Sequence, residues 1–168
     1  THPRSSAASD VYKRQALDDA AAATATSSGM AALFSALLTI CSAGDHIVAS
    51  SQLYGANVNL LKYTLPRFGI HTTFVDPTNH EEIKSAITEN TKIFFSEIIG
   101  NPGLVILDVD AVTKICQEHS ILFMVDGTFN TPYLMAPVKN GVNIIIHSLT
   151  KWMGGHGVAI GGVVVDGG

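Results

Sequence analysis

Residues 121–151, ILFMVDGTFNTPYLMAPVKNGVNIIIHSLTK, contain the pattern that decides the fold. Two short apolar runs, Leu122–Asp126 and Asn143–His147, have the length and continuity of buried strands. The first run closes on Asp126, and the second is followed within a few residues by Lys151. Reactive side chains placed directly after buried strands are typical of open α/β sheets, in which ligands bind outside the carboxyl ends of the strands.

The same alternation of strand and helix extends through the rest of the chain. Further strands are predicted at Ala22–Thr26, His46–Ser50, Ile70–Val75, Lys92–Ser96 and Ile160–Asp166. Helices are predicted from apolar spacing at Gly29–Ile40, Asn57–Arg67, Glu81–Ile87 and Asp110–His119. Repeated strand–helix–strand units favour a mainly parallel seven-stranded sheet. No helix fits between the last two strands, so if they are neighbours they should be antiparallel.

Composition and charge exclude several classes of protein. The chain has 168 residues, of which 46% are hydrophobic and 14% charged, so it can bury a substantial core. The net charge is −4 and no basic stripe is present, which argues against a nucleic-acid partner. No apolar run has the length of a membrane span and no signal-peptide pattern is visible, so no membrane partner is expected. Cys41 and Cys116 lie in apolar periodic segments and are expected to be reduced core residues of a cytoplasmic protein.

Residues 1–15 differ in character from the rest of the chain. They lack apolar periodicity, and Ser5–Gln15 (SSAASDVYKRQ) resembles the in-frame translation of a sequencing-library adapter. We therefore expect a non-native, disordered segment at 1–15 and part of a cofactor-binding domain at 16–168. A native disordered tail is the alternative for the same residues.

Polar residues also follow the earlier strands, at positions that would share one rim of the sheet. Ser27–Met30 follows the first predicted strand, Gln52–Gly55 the second and Gly100–Pro102 the fourth. With the segments after the fifth and sixth strands, five regions distant in sequence converge on this rim.

Two of these regions fit either a structural role or an anion and ring site. Ser28 before Gly29 is typical of a helix N-cap, and the backbone N–H groups there could equally bind a phosphate. Ser148 and Thr150 could add hydroxyl donors to the same anion. Tyr54 could be a packed aromatic or could stack on a flat ring.

Asp126 and Lys151 also have two interpretations each. A carboxylate at the end of an apolar strand is costly unless paired, so Asp126 either caps the next loop or holds a cationic ring nitrogen. Lys151 is either a solvated charge or, in its apolar, glycine-flanked loop, a Schiff-base nucleophile.

Taken together, a phosphate clamp, a ring-stacking aromatic, an acid and an amine indicate a site for pyridoxal 5′-phosphate (PLP). Dinucleotide binding is disfavoured because no G-x-G-x-x-G follows the first strand. A metal site from His147, His156 and Cys116 lacks ligand spacing, so no metal is expected.

Five motifs in order resemble the Cys/Met-metabolism family of PLP enzymes, which have fold type I. The motifs are SSGMAAL, QLYGANVNL, GNPGLVILDVDAV, VDGTFNTPYL and HSLTKWMGGHGVAIGGVVVDGG. The resemblance covers nearly all of 16–168. It implies a three-layer α/β/α large domain whose mostly parallel seven-stranded sheet has one antiparallel strand.

The resemblance also implies the roles of individual residues. Lys151 would bond to the cofactor aldehyde, Asp126 would pair with the pyridine nitrogen and Tyr54 would stack on the ring; these are the implied catalytic residues. Asn101 would lie near the ring hydroxyl. The other implied cofactor contacts are Ser28, Gly29, Met30, Thr128, Ser148 and Thr150.

Within the family, the loop Gly154–Gly162 and the end Asp166–Gly168 are similar to the branch that acts on O-acetylhomoserine. The implied reaction replaces acetate by sulfide or a thiol, giving homocysteine or methionine. Cystathionine γ-synthase, cystathionine γ-lyase or methionine γ-lyase chemistry is the alternative, and a catalytically incompetent fragment or non-catalytic binding module is a further one.

The implied partners are an amino-acid substrate and three more copies of the full-length protein, in a homotetramer with active sites at the dimer interface. The substrate-carboxylate residues are expected outside this chain, in a C-terminal domain.

Overall fold

Seven strands form one sheet in the computed structural model, which describes residues 15–168. In chain order they are β1 (Ala22–Thr26), β2 (His46–Ser50), β3 (His71–Val75), β4 (Thr91–Glu97), β5 (Leu122–Asp126), β6 (Ile144–Ser148) and β7 (Gly162–Asp166). Their order across the sheet is β1-β7-β6-β5-β4-β2-β3. All seven predicted strands are therefore present, with bounds that match or shift by one or two residues at an end.

Pairing within the sheet is parallel from β3 through to β6 and antiparallel at β7. The parallel pairs are β3 with β2, β2 with β4, β4 with β5 and β5 with β6. β7 runs antiparallel to both of its neighbours, β6 and β1. This confirms the prediction for the last two strands, because a short connection without a helix can join only antiparallel neighbours.

Helices connect most of the strands. They are α1 (Gly29–Ile40), α2 (Gly55–Asn59), α3 (His80–Ala86), α4 (Val109–Glu118) and α5 (Thr131–Leu134), with a 3₁₀ turn at Pro137–Asn140. Side chains cap the starts of three of them: Ser28 accepts from the Ala31 N–H, Asn79 from Glu82 and Asp108 from Ala111. The sequence pattern missed α5 and the 3₁₀ turn because neither is long enough to show a helical period.

The helix predicted at Asn57–Arg67 is a composite of three helical types. It begins earlier, as α2, widens into a π-helical turn at Leu60–Thr64 and ends as a 3₁₀ turn at Leu65–Phe68. Pro66 explains the change, because it has no N–H to donate and its ring would crowd the carbonyl four residues earlier. Gly69, at φ 75°, ends the element.

Two apolar clusters lie on opposite faces of the sheet and make the molecule three-layered. Phe94 and Phe123 belong to the cluster that α3 and α4 cover, and their rings pack with centroids 5.8 Å apart. α1 and the composite helix cover the other cluster, which includes Phe95 and Met124. Strand residues alternate between the clusters, as the pleat requires. The predicted three-layer α/β/α fold is confirmed.

The two cysteines are buried and unpaired, Cys41 at the end of α1 and Cys116 on α4, as expected for core residues. Within residues 15–168, no helix combines the length and the apolar character needed to cross a membrane.

Most of the segment set apart at 1–15 lies outside the described residues. Gln15 is described, and its Nε2 donates to the carbonyl oxygens of Ala20 at 3.2 Å and Ala21 at 2.7 Å. These hydrogen bonds join Gln15, the last residue of that segment, to the residues before β1. Its amide can satisfy two carbonyls of the turn that leads into β1.

Candidate functional site

A cavity of about 330 Å³ opens at the carboxyl ends of the parallel strands. The residues that line it are Gly29, Met30, Tyr54, Asn57, Glu97, Ile99, Asn101, Asp126, Thr128, Phe129, Ser148, Lys151 and Trp152. All of the site residues predicted from the sequence are in this set except Ser28 and Thr150. Five chain segments therefore meet at one rim, and the volume is within the range of small-molecule sites.

Ser28 and Thr150 do not line the cavity, and their hydroxyl groups bond to nearby backbone instead. Ser28 Oγ accepts from the Ala31 N–H at 3.1 Å, which is the N-cap interpretation of this residue. Thr150 Oγ1 accepts from the Gly161 N–H at 3.1 Å and lies 3.3 Å from the Gly161 carbonyl oxygen. In this geometry both hydroxyls shape the backbone around the cavity.

The start of α1 packs closely against the end of β6 and the start of β7. A Cβ added at Gly29 would lie 2.7 Å from the Ser148 Cβ, and one at Gly162 would overlap the Ser28 carbonyl. Only glycine permits these approaches. They leave the first turn of a 12-residue helix facing the cavity, where free N–H groups favour an anion. We call Gly29, Ser148 and the first turn of α1 the anion cradle.

Asp126 ends β5 with its carboxylate in the cavity. The Thr128 N–H donates to Asp126 Oδ1 at 2.8 Å, and Thr128 Oγ1 in turn accepts from the Ser148 N–H at 2.8 Å. Burial raises the pKa of Asp126, against the lowering effect of its hydrogen bonds with Thr128. Among the described residues, no lysine or arginine forms an ion pair with this carboxylate. A partly buried acid without such a partner suits a positively charged ligand.

Glu97 is a cavity residue that the sequence analysis missed. It ends β4 directly beside Asp126 in the register of the sheet and is only 6% exposed. Its Oε1 accepts from the Tyr54 N–H at 2.6 Å and from Asn57 Nδ2 at 3.1 Å, and its Oε2 accepts from the Asn101 N–H at 3.1 Å. The signal was present, because Glu97 closes an apolar strand as Asp126 does.

The pKa of Glu97 lies far from its ordinary value. Burial, and to a smaller extent the neighbouring charge of Asp126, raise it to about 7, while the hydrogen bonds from Tyr54, Asn57 and Asn101 hold it down. Burial dominates, so this carboxyl changes its charge near neutral pH.

Aromatic side chains and Lys151 stand at the mouth of the cavity. Tyr54 is half exposed, and Phe129 and Trp152 pack at a centroid distance of 6.4 Å. Lys151 follows β6 by three residues and lines the same cavity as Asp126, as the cofactor hypothesis requires. Aromatic faces and an amine around one opening can hold a flat ring that carries a carbonyl group.

A buried pair lies on the sheet behind Asp126. His147 Nε2 is 3.1 Å from Asp18 Oδ2, and both side chains are fully buried. A Cβ at Gly127 would lie 2.6 Å from His147 Cε1, so glycine lets the loop after β5 pack on this ring. The pair joins the residues before β1 to the strand that carries the Lys151 loop.

Comparison with known proteins identifies the family of this chain. The family model described as Cys/Met metabolism PLP-dependent enzyme matches residues 11–168. The chain belongs to this family. It is 47% identical over 161 residues to the O-acetyl-L-homoserine sulfhydrylase of Leptospira meyeri, covering 95% of this chain and 36% of the relative. It is 46% identical over 154 residues to the L-methionine gamma-lyase of Fusobacterium nucleatum, covering 91% and 39%. The chain thus spans well under half the length of these relatives.

Solved structures agree with the family assignment. A Campylobacter jejuni protein described as an O-acetylhomoserine (thiol)-lyase superposes with a TM-score of 0.90 at 35% identity, over 92% of this chain and 38% of that one. Its crystal structure contains N′-pyridoxyl-lysine-5′-monophosphate, a lysine joined to the cofactor. The fold is that of the PLP enzymes to which the sequence motifs pointed.

The residues present fit PLP. The anion cradle offers helix N–H groups that can bind a phosphate, and a Cβ at Gly29 would collide with Ser148 on the other side of the cradle. Within residues 15–168 no lysine or arginine pairs with Asp126, so a protonated pyridine nitrogen would suit this carboxylate. Lys151 and Tyr54 border the space between these two ends.

Proposed function

We propose that the complete gene product carrying this chain is a PLP-dependent enzyme of sulfur amino-acid biosynthesis. Its reaction replaces the acetate of O-acetylhomoserine by sulfide or a thiol, giving homocysteine or methionine and releasing acetate. The observation that carries the proposal is a single cavity lined by Lys151, Asp126 and Tyr54 together with the anion cradle. The similarity to O-acetyl-L-homoserine sulfhydrylase over 95% of the chain supports the choice of reaction.

PLP supplies an electrophilic aldehyde and an electron-withdrawing pyridine ring. The backbone N–H groups of Gly29 and Met30 would bind its phosphate, with Ser148 at the side of the cradle. Asp126 would hold the proton on the ring nitrogen, which would keep the ring electron-withdrawing. Tyr54 would cover one ring face, and Asn101 would lie toward the ring hydroxyl.

Lys151 does the proton chemistry. Its Nζ would hold the aldehyde and, once released by the substrate amine, would act as a base beside the substrate carbon chain. A free amine at this point would take protons from the α- and β-carbons and return them to the same carbons after acetate has left and the sulfur nucleophile has added. Phe129 and Trp152 line the same cavity beside this amine.

Methionine γ-lyase activity is the second candidate, favoured by one observation. The Fusobacterium nucleatum L-methionine gamma-lyase is 46% identical to the chain, one percentage point below the sulfhydrylase. The cavity residues above serve either reaction, because both need the same cofactor contacts and the same base.

We also assign the protein to the cytoplasm and to a homotetramer with active sites at a dimer interface. The two buried free cysteines support a reducing compartment. Tyr133, Leu134, Val158 and Ile160 are 93%, 69%, 84% and 77% exposed, and such apolar exposure supports contact with another subunit.

Steady-state assays on the complete gene product test the proposal. We expect a yellow protein that forms homocysteine from O-acetylhomoserine and sulfide faster than it releases ammonia and 2-oxo acid from methionine or cystathionine. Faster release of ammonia would favour the lyase and leave the cofactor site intact. A protein that binds no PLP would overturn the proposal.

A further inference from the structure

Glu97 makes contacts that no other cavity residue makes. Its carboxylate is the one acceptor in the described part of the chain shared by the loops after β2 and β4, through the Tyr54 and Asn101 N–H groups. It also accepts from Asn57 Nδ2 in the first turn of α2. The backbones of two residues assigned to the cofactor ring are therefore fastened to one buried acid.

We propose that Glu97 is a positioning residue for the cofactor ring, whose ionised carboxylate holds the Tyr54 and Asn101 loops at the ring site. The inference rests on the proposed function for the identity of the ring. Three N–H groups donate to the two oxygens of Glu97, and Glu97 donates to none of them. An ionised carboxylate suits this arrangement best, because it only accepts hydrogen bonds.

The division of the contacts between the two oxygens predicts which hydrogen bonds a neutral side chain would keep and which it would lose. Oε1 carries the Tyr54 and Asn57 contacts, and Oε2 carries the Asn101 contact alone. A proton on Oε2, or the amide nitrogen of glutamine there, would face the Asn101 N–H donor to donor. The Tyr54 contact would survive and the Asn101 contact would be lost.

This predicts a pH-dependent ring site. Since burial raises the pKa of Glu97 to about 7, the carboxylate is ionised above that pH and protonated below it. The titratable groups that line the same cavity as Glu97 are Asp126 from β5, its neighbour in the sheet register, and the side chains of Tyr54 and Lys151. A variant that keeps those groups and removes only the Glu97 charge isolates its contribution.

The test compares PLP binding by the complete gene product and its Glu97→Gln variant. The dissociation constant is measured from the visible absorbance of added PLP between about pH 6 and about pH 8.5, with circular dichroism to verify folding. At the upper pH we expect Glu97→Gln to bind PLP roughly tenfold or more weakly. At the lower pH the ratio should approach one, because wild-type Glu97 is then neutral as well.

Two further variants keep the test decisive. Glu118→Gln, an exposed position on α4, should match the wild type at every pH. Glu97→Asp retains a titrating carboxylate, so its PLP affinity should fall toward low pH as that of Glu118→Gln does, even if Glu97→Gln does not fold. A ratio that stays constant with pH, or equal affinities throughout, would overturn the role of Glu97. A wild-type protein that binds no PLP would contradict the proposed function instead.

Discussion

The Ser148 N–H donates to the Thr128 hydroxyl at 2.8 Å, while the Thr128 N–H donates to Asp126 at the same distance. One threonine therefore links Asp126 at one end of the cavity to the anion cradle at the other end. The distance between these two ends is fixed by two hydrogen bonds and by the parallel pairing of β5 with β6. A ligand with a cation and an anion at a set separation fits this rigid arrangement.

Thr128→Val tests the link. Valine has nearly the same shape but removes the acceptor of the Ser148 N–H, which leaves a buried donor unpaired. We expect PLP affinity to fall roughly tenfold, measured by absorbance titration. Thr128→Ser keeps the hydroxyl and should bind PLP like the wild type, and equal affinities for the valine and serine variants would contradict the link.

Asp126→Asn tests the charge at the ring nitrogen. A neutral amide keeps the size of the side chain but cannot stabilise a protonated pyridine, so we expect the variant to bind PLP and to turn over substrate about a hundredfold or more slowly. The measurement is kcat for homocysteine formation together with the spectrum of bound PLP. Wild-type kcat in the asparagine variant would show that the charge of Asp126 is not needed.

Asp18→Ala tests the buried pair behind the site. Removing the carboxylate leaves His147 buried without its partner, and we expect the free energy of unfolding of the complete gene product to fall by about 3 kcal/mol. The adjacent Asp19 is exposed and lies 3.9 Å from Lys139, so Asp19→Ala should cost less than about 1 kcal/mol. Denaturant unfolding measures both, and similar losses for the two variants would mean that the pair contributes nothing particular.

Much of the fold could be predicted because its signals are local. The apolar runs are short, the helices between them have caps and a clear period, and the absence of a helix before β7 sets its direction. The composite helix after Tyr54 could not be read in the same way, because its changes of type depend on Pro66 and on packing. The turns at Thr131–Leu134 and Pro137–Asn140 are too short to leave a periodic pattern.

The candidate site shows a similar division. Lys151, Asp126 and Tyr54 line one cavity, where strand ends and family motifs placed them. Glu97 was missed although it closes β4 as Asp126 closes β5, since only the sheet register shows that the two acids are neighbours. The contacts of Ser28 and Thr150 with nearby backbone could not be separated from cofactor contacts by residue type alone.

Detecting the bond between Lys151 and PLP tests the proposed cofactor site most directly. The complete gene product is incubated with PLP and reduced with borohydride, and its digest is analysed by mass spectrometry for a pyridoxyl group on lysine. We expect the group on Lys151, and we expect the visible absorbance of bound PLP to be absent from Lys151→Ala. Labelling spread evenly over surface lysines such as Lys62 and Lys84, with no preference for Lys151, would contradict the central claim.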